Sequence, residues 1–337
     1  PIPDSLELFV EGVHTGGKQA YTEYRGKGSV LEYLAAKISD FTAINIDPDR
    51  EIILTPGTQG ALFLSAGANI MPGDKVSFVE PDYFANRKLV EFMGGEMAPV
   101  QMEFTKYTDK AGLDLTALEN SFKSGTKLFM YSNPNNPTGV IYSSDEVQAI
   151  GELSKKYGVT VIADELYCRQ IFDGHRYTHL CNQKTVPDNL ITIMGPSKTE
   201  SMSGYRLGIA FGTAAIIERM EKLQAIVSLR CAGYNQAVFK RWFDEPSGWM
   251  DERVTQHQVI RDELLSRLRA VKGIEARTTE GGSYLFVKLP ELDISMHDFI
   301  QILRIQAGVT VTPGTEFGPQ FVNWFRINFS QDRKAAA

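Results

Sequence analysis

The sequence is poor in cysteine and in histidine. Its 337 residues include three cysteines and five histidines, and no two cysteines form a CxxC pair. An odd, sparse set of thiols favours a reducing compartment over a disulfide framework. His175 and His179 lie in a polar turn without an HExxH glutamate, and we interpret both as solvated loop residues. We therefore expect no metal site.

Long hydrophobic runs and an excess of positive charge are also missing. No apolar run approaches the roughly 20 residues needed to span a bilayer. The net charge of −6 argues against nucleic acid or an anionic membrane as the main partner. The first residues, Pro1 to Asp4, lack the basic and then apolar pattern of a signal peptide. We expect a soluble, cytoplasmic protein of enzyme size that binds neither nucleic acid nor membrane.

The middle of the chain alternates short apolar runs with longer amphipathic segments, which is typical of a parallel sheet covered by helices. This alternation predicts an α/β fold, a three-layer sandwich around a mostly parallel sheet. A helix is predicted over residues 61–68 and another over 144–157, the second capped by Ser143 or Ser144. The predicted strands cover residues 52–54, 75–79, 128–131, 159–163, 190–194 and 208–212.

The pattern changes after about residue 216. A long helix is predicted from there through Arg230 toward Trp242, and the Glu245–Pro246 pair ends it. Helices over 251–271 and 296–307 and strands over 283–289, 308–312 and 324–329 then predict a smaller α+β domain. We assign residues 25–243 to a large domain, and residues 1–24 and 244–337 to the small domain.

Unusual polar residues follow the predicted strands at their carboxyl ends, where open α/β sheets form their ligand crevice. Lys198 lies in such a turn, which suits a desolvated amine that attacks a carbonyl group. Asp164 follows an apolar strand, so we expect a half-buried carboxylate whose partner is an arginine or a protonated heteroaromatic nitrogen. The glycines around Thr58 and Gln59 open a helix, and this turn is either a phosphate site or an ordinary connection.

Four motifs occur in order. They are Asn136-Pro137-Thr138-Gly139, Asp164-x-x-Tyr167, Ser197-Lys198-x7-Arg206-Leu207-Gly208 and Arg326-Ile327-Asn328-Phe329. With these motifs the chain resembles the fold-type-I pyridoxal-phosphate enzymes of the class I/II aminotransferase family, from about residue 21 to residue 330. The resemblance implies pyridoxal 5′-phosphate as cofactor.

The resemblance also assigns roles around the cofactor ring. Lys198 would be the Schiff-base lysine and would then move the proton at the substrate α-carbon. Asp164 would keep the pyridine nitrogen protonated, so that the ring can accept electrons. Asn136 and Tyr167 would bond the ring hydroxyl, and Tyr83 would stack on the ring. Lys198, Asp164 and Tyr167 are thus the expected catalytic residues.

The phosphate group would be held on the other side of the ring. By the resemblance, Thr58, Gln59, Ser197 and Arg206 would bind it, the arginine as a charge-assisted donor. Two positions depart from the usual family pattern. Family members usually carry serine or glycine three residues before the lysine, and here the residue is Gly195, so a possible phosphate hydroxyl is absent. Pro196 is unusual in this turn.

Substrate and subunit contacts complete the expected site. Arg326 would fork onto the substrate α-carboxylate, with Asn136 beside it. Tyr21 matches the family tyrosine that reaches the phosphate of the neighbouring subunit, with Tyr24 as its rival, so a homodimer with shared sites is expected. Arg230 lies near where family members send residues toward the substrate side chain. It would favour an acidic amino acid, unless it is an ordinary surface arginine.

The leading interpretation is ping-pong transfer of an amino group from an L-amino acid to a 2-oxo acid, with the small domain closing over the substrate. The same scaffold also serves β-lyases, racemases and decarboxylases, which the shared motifs do not separate. A third interpretation is a regulatory domain that binds pyridoxal phosphate without turnover.

Overall fold

A computed structural model describes residues 1–15 and 20–331. Its main feature is a seven-stranded sheet with strand order β1-β7-β6-β5-β4-β2-β3. Strand β7 is antiparallel to both of its neighbours, and the other pairs are parallel. The strands are β1 Ile52–Pro56, β2 Lys75–Glu80, β3 Glu96–Gln101, β4 Leu128–Ser132, β5 Thr160–Asp164, β6 Leu190–Met194 and β7 Leu207–Gly212.

Helices cover both faces of this sheet, because its central strands carry apolar residues on both sides. Phe129 and Tyr131 of β4 pack into one core, and the alternating Leu128 and Met130 pack into the other. The helices of the described chain are α1 Ser5–His14, α2 Gly28–Thr42, α3 Gly57–Gly67, α4 Phe84–Phe92, α5 Leu115–Lys123, α6 Ser144–Tyr157, α7 Ala214–Val227, α8 Gly233–Gln236, α9 Trp249–Arg269 and α10 Met296–Ile302. The predicted three-layer α/β sandwich is confirmed.

Helix α6 shows how local sequence sets an element. The Ser143 hydroxyl accepts the amide N–H of Glu146 at 3.2 Å, and the Glu146 carboxylate accepts the amide N–H of Ser143 at 2.8 Å. This reciprocal capping box satisfies two amides that the first helical turn leaves free. Gly158 ends the helix at a φ of 68°, which glycine adopts without steric cost. The predicted helix over 144–157 is confirmed.

A second, four-stranded antiparallel sheet has the order β10-β11-β9-β8. Its strands are β8 Glu275–Ala276, β9 Tyr284–Lys288, β10 Thr312–Pro313 and β11 Trp324–Asn328. The predicted strand over 308–312 is wrong for most of its length. A π-helical turn continues α10 to Ala307, and Gly308 ends it in the left-handed conformation at a φ of 66°.

The predicted continuous helix from residue 216 toward Trp242 is also wrong. Helix α7 ends at Val227, and Leu229 adopts a φ of 62°. Such a left-handed backbone interrupts a right-handed helix. The chain resumes as the short helix α8 and a 3₁₀ segment. Hydrophobic spacing alone does not reveal a break of this kind.

The amino-terminal residues pack beside the large sheet. Ile2 is buried in the cluster that contains Phe239 and Trp242, and Phe9 of α1 packs against the same cluster. The division at residues 25 and 243 stays a prediction, and residues 16–19 and 332–337 of the small-domain assignment lie outside the described residues. Within the described ranges, no helix combines the length and apolar character needed to cross a membrane.

Candidate active site

A cavity of about 370 Å³ opens at the carboxyl-terminal edge of the large sheet. Strands β1, β4, β5 and β6 end at this edge, and the small sheet supplies the opposite wall. All the predicted site residues except Tyr21 and Arg230 line the cavity: Thr58, Gln59, Tyr83, Asn136, Asp164, Tyr167, Ser197, Lys198, Arg206 and Arg326. Six further residues, which the sequence motifs do not indicate, line the cavity as well: Leu62, Phe84, Ser132, Leu166, Ser203 and Tyr284.

Asp164, the last residue of β5, is half-buried, as expected. Its Oδ1 accepts the amide N–H of Leu166 at 3.2 Å. Burial raises the pKa of the Asp164 carboxyl to about 7, and the neighbouring Glu165 adds to this increase. In the described part of the chain no arginine or lysine pairs with this carboxyl group. Of its two expected partners, the structural arginine is therefore not found among the described residues.

Lys198 lies in the turn that follows β6. The amide of Ser201 bonds the Lys198 carbonyl at 3.1 Å, and the amide of Met202 bonds the Pro196 carbonyl at 3.1 Å. The Lys198 side chain is exposed, and its ammonium has no hydrogen-bond partner among residues 1–15 and 20–331. The expectation of a desolvated lysine is wrong for this structure, because the turn presents the amine to the open cavity.

A cradle for an anion lies between β1 and α3. Gly57 has a φ of 77°, and a Cβ there would overlap the Arg206 guanidinium. A Cβ at Gly208 would overlap the peptide between Gly57 and Thr58, so both glycines permit a close backbone approach. Arg206 donates to the carbonyl of Pro56 at 3.4 Å. The free amides of the first α3 turn and this guanidinium form a site suited to phosphate.

The structure gives a reason for Gly195 in the lysine turn. A Cβ at this position would lie 2.8 Å from Cγ2 of Thr58, closer than real side chains pack. The hydroxyl of Ser197 donates to the Leu207 carbonyl at 3.3 Å. This bond ties the lysine turn to the strand that follows Arg206.

Two tyrosines line the cavity as hydrogen-bond donors. The Tyr83 hydroxyl donates to Gln59 Oε1 at 3.0 Å, and burial raises the pKa of Tyr83 to about 12. The Tyr167 hydroxyl lies 3.0 Å from that of Tyr284, and burial raises the pKa of Tyr167 as well. Both phenols therefore remain protonated near neutral pH.

Arg326 of β11 projects into the cavity from the small sheet. Its guanidinium donates to Asn136 Oδ1 at 2.9 Å and to Thr312 Oγ1 at 3.2 Å. It also lies 4.1 Å from the Tyr284 ring centroid and 5.0 Å from that of Phe317. The buried Nε has no partner in the described chain.

Tyr21 and Arg230 lie outside the cavity of their own chain. Tyr21 is 78% exposed, and the Arg230 guanidinium lies 3.8 Å from its ring centroid. Arg230 also donates to the carbonyl of Thr22 and lies 5.4 Å from the Tyr24 ring. The cation therefore contacts the amino-terminal segment, and its predicted substrate role stays a prediction, as does the role of Tyr21 across a dimer.

The interpretation of His179 as a solvated loop residue is wrong. Its Nδ1 lies 2.5 Å from Oε2 of the buried Glu165, and its ring packs against Tyr177 and Phe41. The apolar neighbours form only in the fold, so the local polar sequence does not show them. His175 is exposed as expected. No group of three or more His, Cys, Asp or Glu side chains in the described ranges is arranged to hold a metal ion.

Comparison with known proteins agrees with this geometry. Residues 7–336 match the family model described as aminotransferase class I and II. The chain belongs to this family. A solved aspartate aminotransferase from Rhodobacter sphaeroides is 57% identical, with a TM-score of 0.98 over 100% of this chain and 85% of that chain.

Other aminotransferases are more distant. The curated aspartate aminotransferase of Sulfolobus acidocaldarius is 29% identical over 328 residues, which are 94% of this chain and 80% of that protein. An aromatic aminotransferase structure from Pyrococcus horikoshii, 24% identical, has a TM-score of 0.91 over 99% of this chain and 89% of that chain, which supports the fold alone. The protein is a pyridoxal-phosphate-dependent aminotransferase of class I/II, and the predicted family and enzyme class are confirmed.

Proposed function

We propose that the protein transfers an amino group from an L-amino acid to a 2-oxo acid in two successive half-reactions, with pyridoxal phosphate held by Lys198. One observation carries this proposal: a lysine amine without a hydrogen-bond partner in the described chain, a half-buried carboxyl without a cationic partner there and a preoriented arginine line one cavity. These are Lys198, Asp164 and Arg326. Together they match an aldehyde cofactor, its protonated ring nitrogen and a substrate carboxylate.

The remaining cavity residues fit the rest of the cofactor. Thr58, Gln59, Ser197 and Arg206 surround the anion cradle and would hold the phosphate. Tyr83 would stack on the ring, and Asn136 and Tyr167 would bond the ring hydroxyl. When bound, the cofactor supplies an electron sink for the electrons of a bond at the substrate α-carbon. The Asp164 carboxylate would stabilise the protonated ring nitrogen on which this property depends.

Arg326 and Lys198 would act on the substrate itself. Arg326 would bind the α-carboxylate through its guanidinium, which Asn136 and Thr312 already orient. Lys198, once its amine is free, would take the α-proton and deliver it back as a general acid. The Lys198 side chain suits this task because no hydrogen bond within the described chain restrains its ammonium.

We further propose a dicarboxylic amino acid as donor and a homodimer in the cytoplasm. The proposal of an acidic substrate is supported by the Rhodobacter and Sulfolobus relatives, which are named aspartate aminotransferases. The dimer is supported by apolar exposure beside Tyr21 and Arg230, where Ile226, Val227 and Leu229 are 81%, 54% and 52% exposed. Arg230 would then act at the partner's site.

The visible spectrum of the protein loaded with pyridoxal phosphate tests the reaction. We expect an absorption band that bleaches with aspartate or glutamate and returns when a 2-oxo acid is added. A band that stays unchanged with every donor would contradict transamination and favour a regulatory domain. Release of pyruvate and ammonia without an added oxo acid would instead identify a β-lyase.

Kinetics of Arg230→Ala test the substrate class separately. We expect kcat/KM to fall for dicarboxylic donors and to stay unchanged for neutral donors, because only the former carry a second carboxylate. An equal loss for both classes would contradict a role in substrate choice. It would point to the contacts of Arg230 with Tyr21 and Thr22.

A further inference from the structure

A second buried carboxyl group, that of Asp82, lies immediately behind the cavity wall. Asp82 is in the turn between β2 and α4 and is 3% exposed. Its Oδ2 accepts the amide N–H of Ser132 at 2.8 Å, and its Oδ1 accepts the amide N–H of Tyr83 at 2.5 Å. The Ser132 hydroxyl donates to the same Oδ1. One carboxyl group therefore joins the ends of two strands.

The network continues from Ser132 into the site. The Ser132 hydroxyl accepts the amide N–H of Asn136 at 3.1 Å, so this residue links Asp82 to the loop that carries Asn136. The neighbouring Asn135 side chain donates to the Pro81 carbonyl at 3.1 Å, which joins the same two loops a second time. Tyr83 and Asn136 both line the cavity.

Only a carboxylate satisfies this arrangement fully. Three donors converge on Asp82, and an ionised carboxylate is the side-chain group that accepts without donating. An asparagine would place an NH₂ group against at least one of these donors. Burial raises the pKa of Asp82, and the bonds from Ser132 and Tyr83 oppose this rise because they stabilise the ionised form that accepts all three. No cation pairs with Asp82 in the described part of the chain, so its burial has an electrostatic cost.

We propose that Asp82 is a positioning residue of the transamination site, which holds Tyr83 directly and Asn136 through Ser132. The inference rests on the proposed function, because Tyr83 and Asn136 are the residues assigned to the cofactor ring and its hydroxyl. Asp82 does not line the cavity and acts through these neighbours. Its loss displaces two groups that contact the cofactor from different strand ends, and small displacements at such positions reduce turnover.

Asp82→Asn is compared with Glu146→Gln, a matched control. Glu146 is also 3% exposed, and its carboxylate accepts the amides of Ala111, Gly112 and Leu113. It does not line the cavity. Both substitutions replace a buried carboxylate by an amide facing several N–H donors. We measure the dissociation constant of pyridoxal phosphate, kcat, KM and the melting temperature of each purified protein.

The melting temperatures establish that both variants are folded, and only Asp82→Asn should impair the site. Its dissociation constant for pyridoxal phosphate should rise about 10-fold or more, and its kcat should fall by a similar factor. KM for the amino donor should change less, because the Arg326 guanidinium keeps its contacts with Thr312 and the Tyr284 ring even if Asn136 moves. Cofactor affinity and kcat within about twofold of wild type in Asp82→Asn would overturn the proposal. An equal loss in Glu146→Gln would overturn it too.

Amide hydrogen exchange without added cofactor separates this inference from the proposed function. Asp82→Asn should lose protection at the amides of Tyr83, Ser132 and Asn136, whereas Glu146→Gln should not. Unchanged protection there contradicts the positioning role. If the wild-type protein shows no spectral change with any amino donor, the proposed reaction is wrong. Hydrogen exchange without cofactor still decides whether Asp82 holds Tyr83 and Asn136 in place.

Ser132→Ala covers the case in which Asp82→Asn does not fold. This variant removes the hydroxyl that joins Asp82 to Asn136 and retains the buried carboxylate and the Ser132 amide. We expect a weaker loss in the same direction, about threefold or more in cofactor affinity, with reduced protection at the Asn136 amide. Wild-type affinity together with wild-type protection in Ser132→Ala would overturn the proposal.

Discussion

The two walls of the cavity present their cations in opposite ways. Lys198, from the turn after β6 of the large sheet, has an exposed side chain, and no hydrogen bond or ion pair holds its ammonium within residues 1–15 and 20–331. Arg326, from β11 of the small sheet, is bonded to Asn136 and Thr312 and lies over the Tyr284 ring. One cation is thus free to change its position, and the other is held before any ligand arrives.

This difference follows from the chemistry that each cation would perform. An amine that binds a cofactor, leaves it and then carries a proton must change partners, so fixed hydrogen bonds would oppose each step. A guanidinium that recognises a carboxylate acts best when its planar fork is already oriented. The same comparison predicts that Lys198 contributes little to the free energy of unfolding and that Arg326 contributes more.

Lys198→Ala should give the largest effect on activity and almost none on stability. Turnover should fall at least about 10⁴-fold, because both the link to the cofactor and the proton transfer are lost. The free energy of unfolding should change by less than about 0.5 kcal/mol, since an exposed side chain without partners is removed. Steady-state kinetics and urea unfolding measure the two quantities.

Lys240→Ala is the control for Lys198→Ala, because Lys240 is exposed away from the cavity. It should leave both activity and stability unchanged. If Lys198→Ala retained more than about 1% of wild-type turnover, the assignment of the whole site would be wrong.

Arg326→Lys should reduce kcat/KM for every amino acid about 100-fold. An ammonium keeps the charge but cannot reproduce the fork that contacts Asn136 and Thr312. Pyridoxal phosphate affinity should stay within a few-fold of wild type, because Arg326 is assigned to the substrate. Arg277→Lys is the control: Arg277 likewise donates to several oxygen atoms, those of the Phe104 and Lys110 carbonyls and the Glu280 carboxylate, but does not line this cavity. Loss of cofactor binding in Arg326→Lys would contradict the division of labour between the two walls.

The large-sheet wall was the more predictable one from the sequence. The run 190–194 is apolar except for Thr192 and is buried throughout as β6, and β4, apolar except for its last residue Ser132, is also buried throughout. Buried strands of a parallel sheet carry this signal in a few consecutive residues. The topology then brings their ends to one edge, so Asp164 and Lys198 could be predicted to lie together.

The supporting contacts of the other wall were not predictable. Tyr284 and Tyr167 are separated by 117 positions and meet only when the two sheets pack together. Tyr284 begins a strand two residues after the Gly281–Gly282 pair. This position was the available signal in the sequence, yet a tyrosine at a strand start is equally typical of a core residue. Asp82 gave no signal either, since the Ser132 bonds to it come from another strand. Hydrophobic periodicity and secondary-structure propensity describe single helices or strands. The positions of Tyr284 and Asp82 depend on contacts between different elements.

Asp164→Asn should stabilise the protein without added cofactor at alkaline pH. The Asp164 carboxyl has a pKa of about 7 when folded, against about 3.9 when unfolded. Between these values the folded state binds more protons, so this group's contribution to stability declines as pH rises and is lowest above pH 7. We expect Asp164→Asn to be more stable by roughly 1–2 kcal/mol at pH 8, a value reduced for partial exposure, with no difference near pH 4.

Urea unfolding at pH 8 and near pH 4 measures the Asp164→Asn effect. Asp293→Asn, at an exposed position, should show no such dependence on pH. If Asp164→Asn were less stable than wild type at pH 8, the ionised Asp164 carboxyl would not destabilise the folded protein in the absence of a cationic partner. That result would also weaken the contrast between Asp164 on the large-sheet wall and the well-bonded Arg326 on the small-sheet wall.

Tyr284→Phe should have the smallest effect on activity. It separates the contact of the Tyr284 hydroxyl with Tyr167 from the contact of the Tyr284 ring with Arg326. The substitution removes the hydroxyl that lies 3.0 Å from the Tyr167 hydroxyl and retains the ring beneath Arg326. We expect kcat to fall about threefold, the scale of one hydrogen bond, with KM for amino donors unchanged. Tyr284→Leu removes the ring as well and should raise KM, because the guanidinium loses its cation–π contact. If Tyr284→Phe raised KM as much as Tyr284→Leu, the hydroxyl rather than the ring would orient Arg326, and the arginine would depend on Tyr167 across the cavity.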